Sequence, residues 1–491
     1  MKKVKSIILS LMCISVLIMS CKKDDPGSTD DTDDTAQMLE EAREASNLIL
    51  TDGDTKTWKI VSAVLENNTG TIDISDSYNI KDDEFIFSGD LDAGNLEWRQ
   101  GYKVNSEGAT QQQTFLDYYV SPENYTYSFL EDSSDELSSV NGAFLFNIVD
   151  DNTILAVLSF DGRSQAGEIL TMEMNQKTAD DYLSAPSSSL NFVEEFVYES
   201  NGVSCCSPGM IGSYTENSFY VVTREDDLVD GNGVPPERIV KFDISSGSVT
   251  ENLYFQQDFV SKQLHIIDDQ LIVIGAQFVN TYNLDLNGDP QTVSHGKSIS
   301  RYGMAVQDDI AYLIGGDLND DPMGNPIDAD KIFGWNLDTQ TLSNVATMPA
   351  SRFGARGTII NNKLYVFGGS EDFYSQPAFN TIFVHDLGTG DINTLNLPYE
   401  PNFTYVDKRE NLIYVAGQIR EEDPLNFDLR LGVFDTLTGT YTDIVHNLDD
   451  SDDNSTIYGM TTFNDKMYVL YGNGETMGAN FSEWSIMSVD L

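Results

Sequence analysis

The stretch Arg301-Tyr302-Gly303-Met304, a turn at Asp308-Asp309, and Ala311-Tyr312-Leu313-Ile314-Gly315-Gly316 decide how this chain is read, because the pattern recurs about fifty residues later. The first copy continues into Ile332-Phe333-Gly334-Trp335-Asn336 and Thr341-Leu342-Ser343-Asn344-Val345. The second runs Arg352-Phe353-Gly354, Leu364-Tyr365-Val366-Phe367-Gly368-Gly369, Ile382-Phe383-Val384-His385-Asp386 and Asp391-Ile392-Asn393-Thr394-Leu395. Short runs of β-branched, aromatic and aliphatic residues between turn residues are the mark of antiparallel strands. A period of this length is one supersecondary unit repeated. The residue closing the third run recurs as Asp243, Asn283, Asn336, Asp386, Asp435 and Asp490, at intervals of 40 to 55 residues. Six marks predict a ring of six four-stranded blades over residues 190–491. The last unit stops after its third strand, so Leu190–Phe196, a strand-like run without another partner, is expected to supply the fourth and close the ring.

Arg-aromatic-Gly, a Tyr-containing strand ending in Gly-Gly, and an aromatic residue or His before Asp resemble the kelch repeat. The resemblance implies an all-β fold with a six-bladed kelch β-propeller, related to galactose-oxidase-type propellers. It also implies that the residue opening each inner strand lies around the central mouth, where arginines of ligand-binding kelch proteins often take carboxylates. The corresponding residues are Ser207, Ser261, Arg301, Arg352, Asn402 and Ile457, flanked by Tyr302, Phe353, Phe403 and Tyr458. Two guanidinium forks among polar groups and aromatic faces suit a sugar or an anionic group. The competing structural reading has the arginines neutralising nearby carboxylates and the aromatics packing between blades.

Upstream, Ala185-Pro186-Ser187-Ser188-Ser189 reads as a linker, residues 185–189. Residues 51–184 carry short strand-like runs at Trp58–Val61, Glu84–Phe87, Leu96–Arg99, Thr114–Tyr118, Tyr125–Tyr127, Ala143–Phe146, Ile154–Val157 and Ile169–Met172. Eight such runs predict a small antiparallel barrel. Lys56-Thr57-Trp58-Lys59-Ile60, with Asp83–Phe87 and Gly94–Trp98 after it, resembles the lipocalin-like domains near the start of Bacteroidetes lipoproteins. A barrel of this size either encloses an apolar ligand or is filled by its own side chains. Helical spacing of Leu39, Ala42, Ala45 and Ile49 predicts one short helix over 36–50.

The first twenty residues combine a positive start, Met1-Lys2-Lys3-Val4-Lys5, with an apolar run too short to span a bilayer, the layout of a cleaved signal. Ile18-Met19-Ser20-Cys21 resembles the lipobox of bacterial lipoproteins, which implies acylation of Cys21 and attachment to the outer membrane. Residues 21–35 read as an acidic tether that buries too little to fold, similar to the export signal of Bacteroidetes surface lipoproteins. No later apolar run reaches 18 residues, so lipid is the expected membrane attachment.

Charge narrows the partners. The 491 residues hold 79 Asp and Glu against 28 Lys and Arg, a net charge of -51, which excludes nucleic acid because an anionic surface repels phosphate. Only four histidines exist, His265, His295, His385 and His446, and His265 and His385 fall in strand-like runs. Copper oxidases built on kelch propellers need two His, two Tyr and a Cys joined to one Tyr, and no such set can be assigned. Neither a Gly-x-Ser-x-Gly elbow nor a His-Glu-x-x-His pair occurs. Cys205-Cys206 could form a vicinal disulfide or remain two thiols near the start of the first blade. Three oxygen-rich runs, Asp285-x-Asn287-x-Asp289, Asp317-x-Asn319-x-Asp321 and Asp450-x-Asp452-x-Asn454, suit Ca²⁺ in donor type but lack the EF-hand Gly and Glu, and no other cofactor is expected. Glu251–Gln256 matches a common protease tag site yet keeps the repeat frame, so it is read as native sequence. The leading expectation is a surface lipoprotein whose propeller binds a glycan or protein without catalysis. The alternatives are a sugar mutarotase resembling kelch-type N-acetylneuraminate epimerases, and an assembly lipoprotein for an outer-membrane partner.

Overall fold

The computed structural model describes residues 31–67, 70–75, 80–91, 94–99, 124–139, 144–159, 169–186, 189–203, 209–213, 217–224, 237–255, 263–267, 270–299, 301–307, 309–316, 329–371, 378–420, 427–448, 455–463, 465–473 and 481–491. They fall into two compact units that divide between Lys177 and Thr178. Among them no helix is long and apolar enough to cross a membrane.

The first unit opens with helix α1 (Asp31–Thr51), followed by β1 (Thr55–Asn67), β2 (Gly70–Asp73), β3 (Glu84–Ser88), β4 (Gly94–Arg99), β5 (Asn124–Phe129), β6 (Glu136–Ser139), β7 (Phe144–Asp150), β8 (Thr153–Ser159) and β9 (Ile169–Gln176). Neighbours pair antiparallel, and β1 pairs with both β3 and β9, which closes eight strands into a barrel with β2 as an extra ribbon on β1. Alternation sets the inside: Phe144, Phe146 and Ile148 of β7 are buried while Leu145 is exposed. The interior is occupied by the barrel's own rings, with Phe87 packed edge-on to Phe146 at 5.1 Å and to Tyr127 at 5.3 Å, and Phe85 against Phe144 at 5.5 Å. Of the two sequence readings of the interior, the filled one describes this region. The helix is held on the barrel by Arg43, whose guanidinium donates to the carbonyls of Leu130, Glu131 and Ser133, and by Trp58, whose Nε1 donates to Leu50 O.

Two boundaries move. The helix begins at Asp31, five residues before the expected 36. Thr178 onward, expected to close the barrel segment, belongs with the second unit: Asn411 exchanges hydrogen bonds with both Leu183 N and Leu183 O. The eight strands are also not the expected eight. Thr114–Tyr118 lies outside the described residues, and β6, whose Glu136-Leu137-Ser138-Ser139 is too polar to stand out, takes a place in the barrel.

The second unit is a propeller of six four-stranded antiparallel sheets. Five blades are continuous in sequence. The sixth is completed by β10 (Val193–Val203), which pairs with Phe481–Asp490 in register Phe196↔Ile486 and Val193↔Ser488. Ser488 Oγ donates to Glu195 at 2.5 Å, and Phe196 lies 6.0 Å from both Phe219 and Phe242 of blade 1, so the closing strand also packs the last blade on the first. Glu251–Phe255 lies in the outer strand of blade 1, inside the repeat frame.

Each of the six marks read from the sequence ends a third strand. The reason is local. Asp243, Asn283, Asn336, Asp386 and Asp435 each accept a backbone N–H from two to four residues ahead, for example Ser246 N at 2.6 Å and Thr339 N at 2.6 Å, and so bend the hairpin into the fourth strand. The six buried apolar clusters each span one blade-to-blade interface, so the core lies between blades and surrounds the axis without filling it.

Candidate binding site at the propeller axis

Inner strands surround the axis, and their pairing with the second strand fixes which residues are equivalent. The rung just before the glycine that follows the apolar run of the second strand joins Gly303 to Ile314 in blade 3, Arg356 to Phe367 in blade 4 and Tyr405 to Ala416 in blade 5. Blades 2 and 6 place Gln263 and Ile457 there. This corrects the alignment made from the Arg-aromatic-Gly triplets. Counting back two residues, Arg301 is equivalent to Gly354, not to Arg352, and the two share left-handed φ values of 55° and 66°. Blade 4 simply has two more residues between its arginine and its glycine pair.

Arg352 is consequently not a mouth residue. It is 3% exposed, and its guanidinium donates to Gly368 O at 2.7 Å and to Thr381 Oγ1 at 2.6 Å while lying 4.7 Å from the Phe379 ring. It thereby clamps the two ends of the connection between the second and third strands. Burial pushes its pKa down to about 10, and its Nε has no hydrogen-bond partner. Tyr302 is likewise interior: its hydroxyl donates to Ile274 O at 2.7 Å, tying blade 3 to blade 2, and burial holds the phenol far above its usual range. Phe353 is buried and its backbone bridges Ser370, while Tyr458 packs between the last blade and the first. Tyr302 and Tyr458 lie in clusters between blades, as the structural reading of the aromatics expected, whereas the partners of Arg352 are a carbonyl and a hydroxyl and not the carboxylates that reading expected. The side chains of Asn402 and Phe403 lie outside the described residues, as do Ser207, Ser261, Cys205, Cys206 and Cys21.

What the fold brings to the axis instead is Arg356, which sequence reading passed over because it is not in a triplet. Its only signal was a cation directly before a strand, in Ala355-Arg356-Gly357. The guanidinium stands 5.4 Å over the Tyr405 ring of the next blade and donates to Ala355 O at 3.1 Å. Although the residue as a whole is half-buried, its head is desolvated, and burial lowers its pKa against the opposing influence of Tyr405 and Tyr302. Both of those neighbours are phenols, and among the described residues no carboxylate acts on it. Room for this contact depends on Gly303, where a Cβ would come within 2.4 Å of Ala355 O. Arg301, half-buried at the head of blade 3, passes its carbonyl to Gly354 N at 2.9 Å.

Deeper along the inner strands, polar groups lock neighbouring blades. Lys408 Nζ donates to Ile359 O at 2.5 Å, Thr462 Oγ1 donates to Lys408 O at 2.7 Å, and Asp407 accepts from Thr462 N at 2.6 Å. Burial raises the Asp407 carboxyl despite these hydrogen bonds. Burial, with Lys408 second, pushes His265 down to about 4, leaving it neutral near pH 7. His385 is buried beside Phe383. Among the described residues no three His, Cys, Asp or Glu side chains converge as metal ligands. In the first oxygen-rich run, Asp285 lies 3.7 Å from Lys241 and Asn287 is hydrogen-bonded to Asn283; the other two runs lie outside the described residues.

No protein-family model matches the chain, and no curated protein does. Among solved structures the chain is similar to one titled "Structure of YjhT", at 14% identity over 59% of this chain and 95% of that one, with a TM-score of 0.43.

Proposed function

We propose that this chain is a lipid-anchored bacterial surface protein whose kelch-type propeller is a non-catalytic binding platform, taking at its axis a glycan or protein group that carries a carboxylate or sulfate. The observation that carries the reading is Arg356, a partly buried guanidinium 5.4 Å over the Tyr405 ring on which, among the described residues, phenols and no carboxylate act, in a chain of 79 acidic residues. A guanidinium out of water and without a carboxylate costs free energy unless an anion completes it, and an aromatic face beside it suits a sugar or peptide group. Arg301 offers a second cation at the head of the neighbouring blade. The anchor rests on the Ile18-Met19-Ser20-Cys21 motif, and the barrel, filled by its own rings, serves as the spacer.

Titration of acidic and neutral oligosaccharides into wild type and Arg356→Met tests the axis. Acidic ligands should bind wild type and lose about 1.5–3 kcal/mol in the variant, the range for a hydrogen bond to a charged group. Thermal stability should be unchanged or higher, because Met replaces a desolvated charge by an apolar side chain of similar size. Equal affinity in the two proteins, or wild-type binding confined to neutral sugars, overturns the reading.

A further inference from the structure

Between blades 2 and 3, at the end of the inner strands opposite to Arg301 and Arg356, a cleft of about 150 Å³ opens beside the turn at Asp309. Its floor is formed by Ile272, Val279 and Trp335. The cause of the opening is visible in the other interfaces. The residue one before each third-strand mark faces the preceding blade, and where it is Phe242 it is covered by Phe219 at 5.1 Å and Phe196 at 6.0 Å. Where it is Phe434, Tyr365 and Phe367 of the preceding blade each lie 6.0 Å away. Trp335 holds the same position, but the preceding blade offers it Ile272, Val279, Thr281 and Val293, β-branched side chains too short to fill the space. Among the described residues its ring neighbour is His295, edge-on at 6.2 Å.

The rim has a definite chemistry. Gln270, Gln291 and Gln340 bring three amides, each both donor and acceptor, and Thr281 brings a hydroxyl. Among the described residues no cation lines the cleft, whereas Asp309 and Asp338 do, so an anion is disfavoured. At about 30 Å³ per water the space holds on the order of five waters, the scale of one small ring. We propose that this cleft is a binding subsite for a neutral sugar ring, its hydroxyls exchanging hydrogen bonds with the amide rim and its apolar face turned to the aliphatic wall beside Trp335. It is separate from the axis and does not rest on the reading of Arg356.

Saturation-transfer NMR on the full chain, with glucose, galactose, mannose and cellobiose as probes and choline as the cationic control, tests the subsite. Neutral sugars should give transfer that weakens about tenfold in Gln291→Ala with Asp338→Ala, which removes two polar contacts. Val293→Phe, which fills the cleft with the ring missing from this interface, should abolish the signal while leaving the melting temperature unchanged or higher. Arg356→Met should leave it intact, so failure here and failure at the axis are told apart. Absence of transfer from all four sugars, transfer from choline alone, or transfer unaffected by both cleft variants overturns the proposal; if Val293→Phe does not fold, the rim variants still decide.

Discussion

The barrel and the propeller use the same strand alternation but put their cores in opposite places. In the barrel the inward side chains of all eight strands converge, and Phe85, Phe87, Phe144 and Phe146 meet in the middle, so the centre is the core. In the propeller both faces of each sheet are covered by neighbouring blades, the six cores lie at the interfaces, and the centre is left to polar groups such as Arg356, Tyr405, Lys408 and His265. A closed sheet spends its interior on stability; a ring of sheets keeps an axis on which charge can be placed.

The sharpest way to break this contrast is to cut a ring from the barrel centre. Phe146→Ala should destabilise the first unit by about 3–5 kcal/mol, the usual cost of a buried phenylalanine, measured by urea denaturation; a cost below about 1 kcal/mol would mean the interior is not packed as described. A smaller effect follows from the axis. His265 has a folded pKa near 4, below its unfolded value, so the unfolded chain takes up a proton first and stability falls as the pH drops from about 6.5 towards 4. The loss should reach about 3 kcal/mol and should be absent from His265→Gln, compared by denaturation at pH 7 and pH 4.5. Smaller again is Arg352→Ala, which removes the clamp on Gly368 and Thr381 and should cost about 1.5–3 kcal/mol without changing ligand affinity. Indistinguishable stability of the Arg352 and Arg356 variants would erase the division between a bracing arginine and the one proposed to bind.

Much of the propeller was legible because its signals are local. An Asp or Asn that bends a hairpin bonds to an amide a few residues away, so Asp243 or Asp386 carries its meaning in its own neighbourhood. The missing fourth strand of the last blade followed from counting, and β10 filled it. The barrel was legible in kind but not in detail, since β6 is short and half polar, and pairing rather than composition makes it a strand.

The sequence by itself determined the repeat, the number of blades, the order of the two units and the acidity that shapes the choice of partners. Only the tertiary structure decided where each arginine lies and what it touches. Arg301 and Arg352 look alike as triplets, but two additional residues in blade 4 shift the register, bury Arg352 against Gly368 and bring Arg356 to the rung beside Tyr405. Register depends on which strand edges pair, and the neighbours across an interface depend on the ring having closed. Those are contacts between residues far apart in the chain, and no short stretch of sequence contains them.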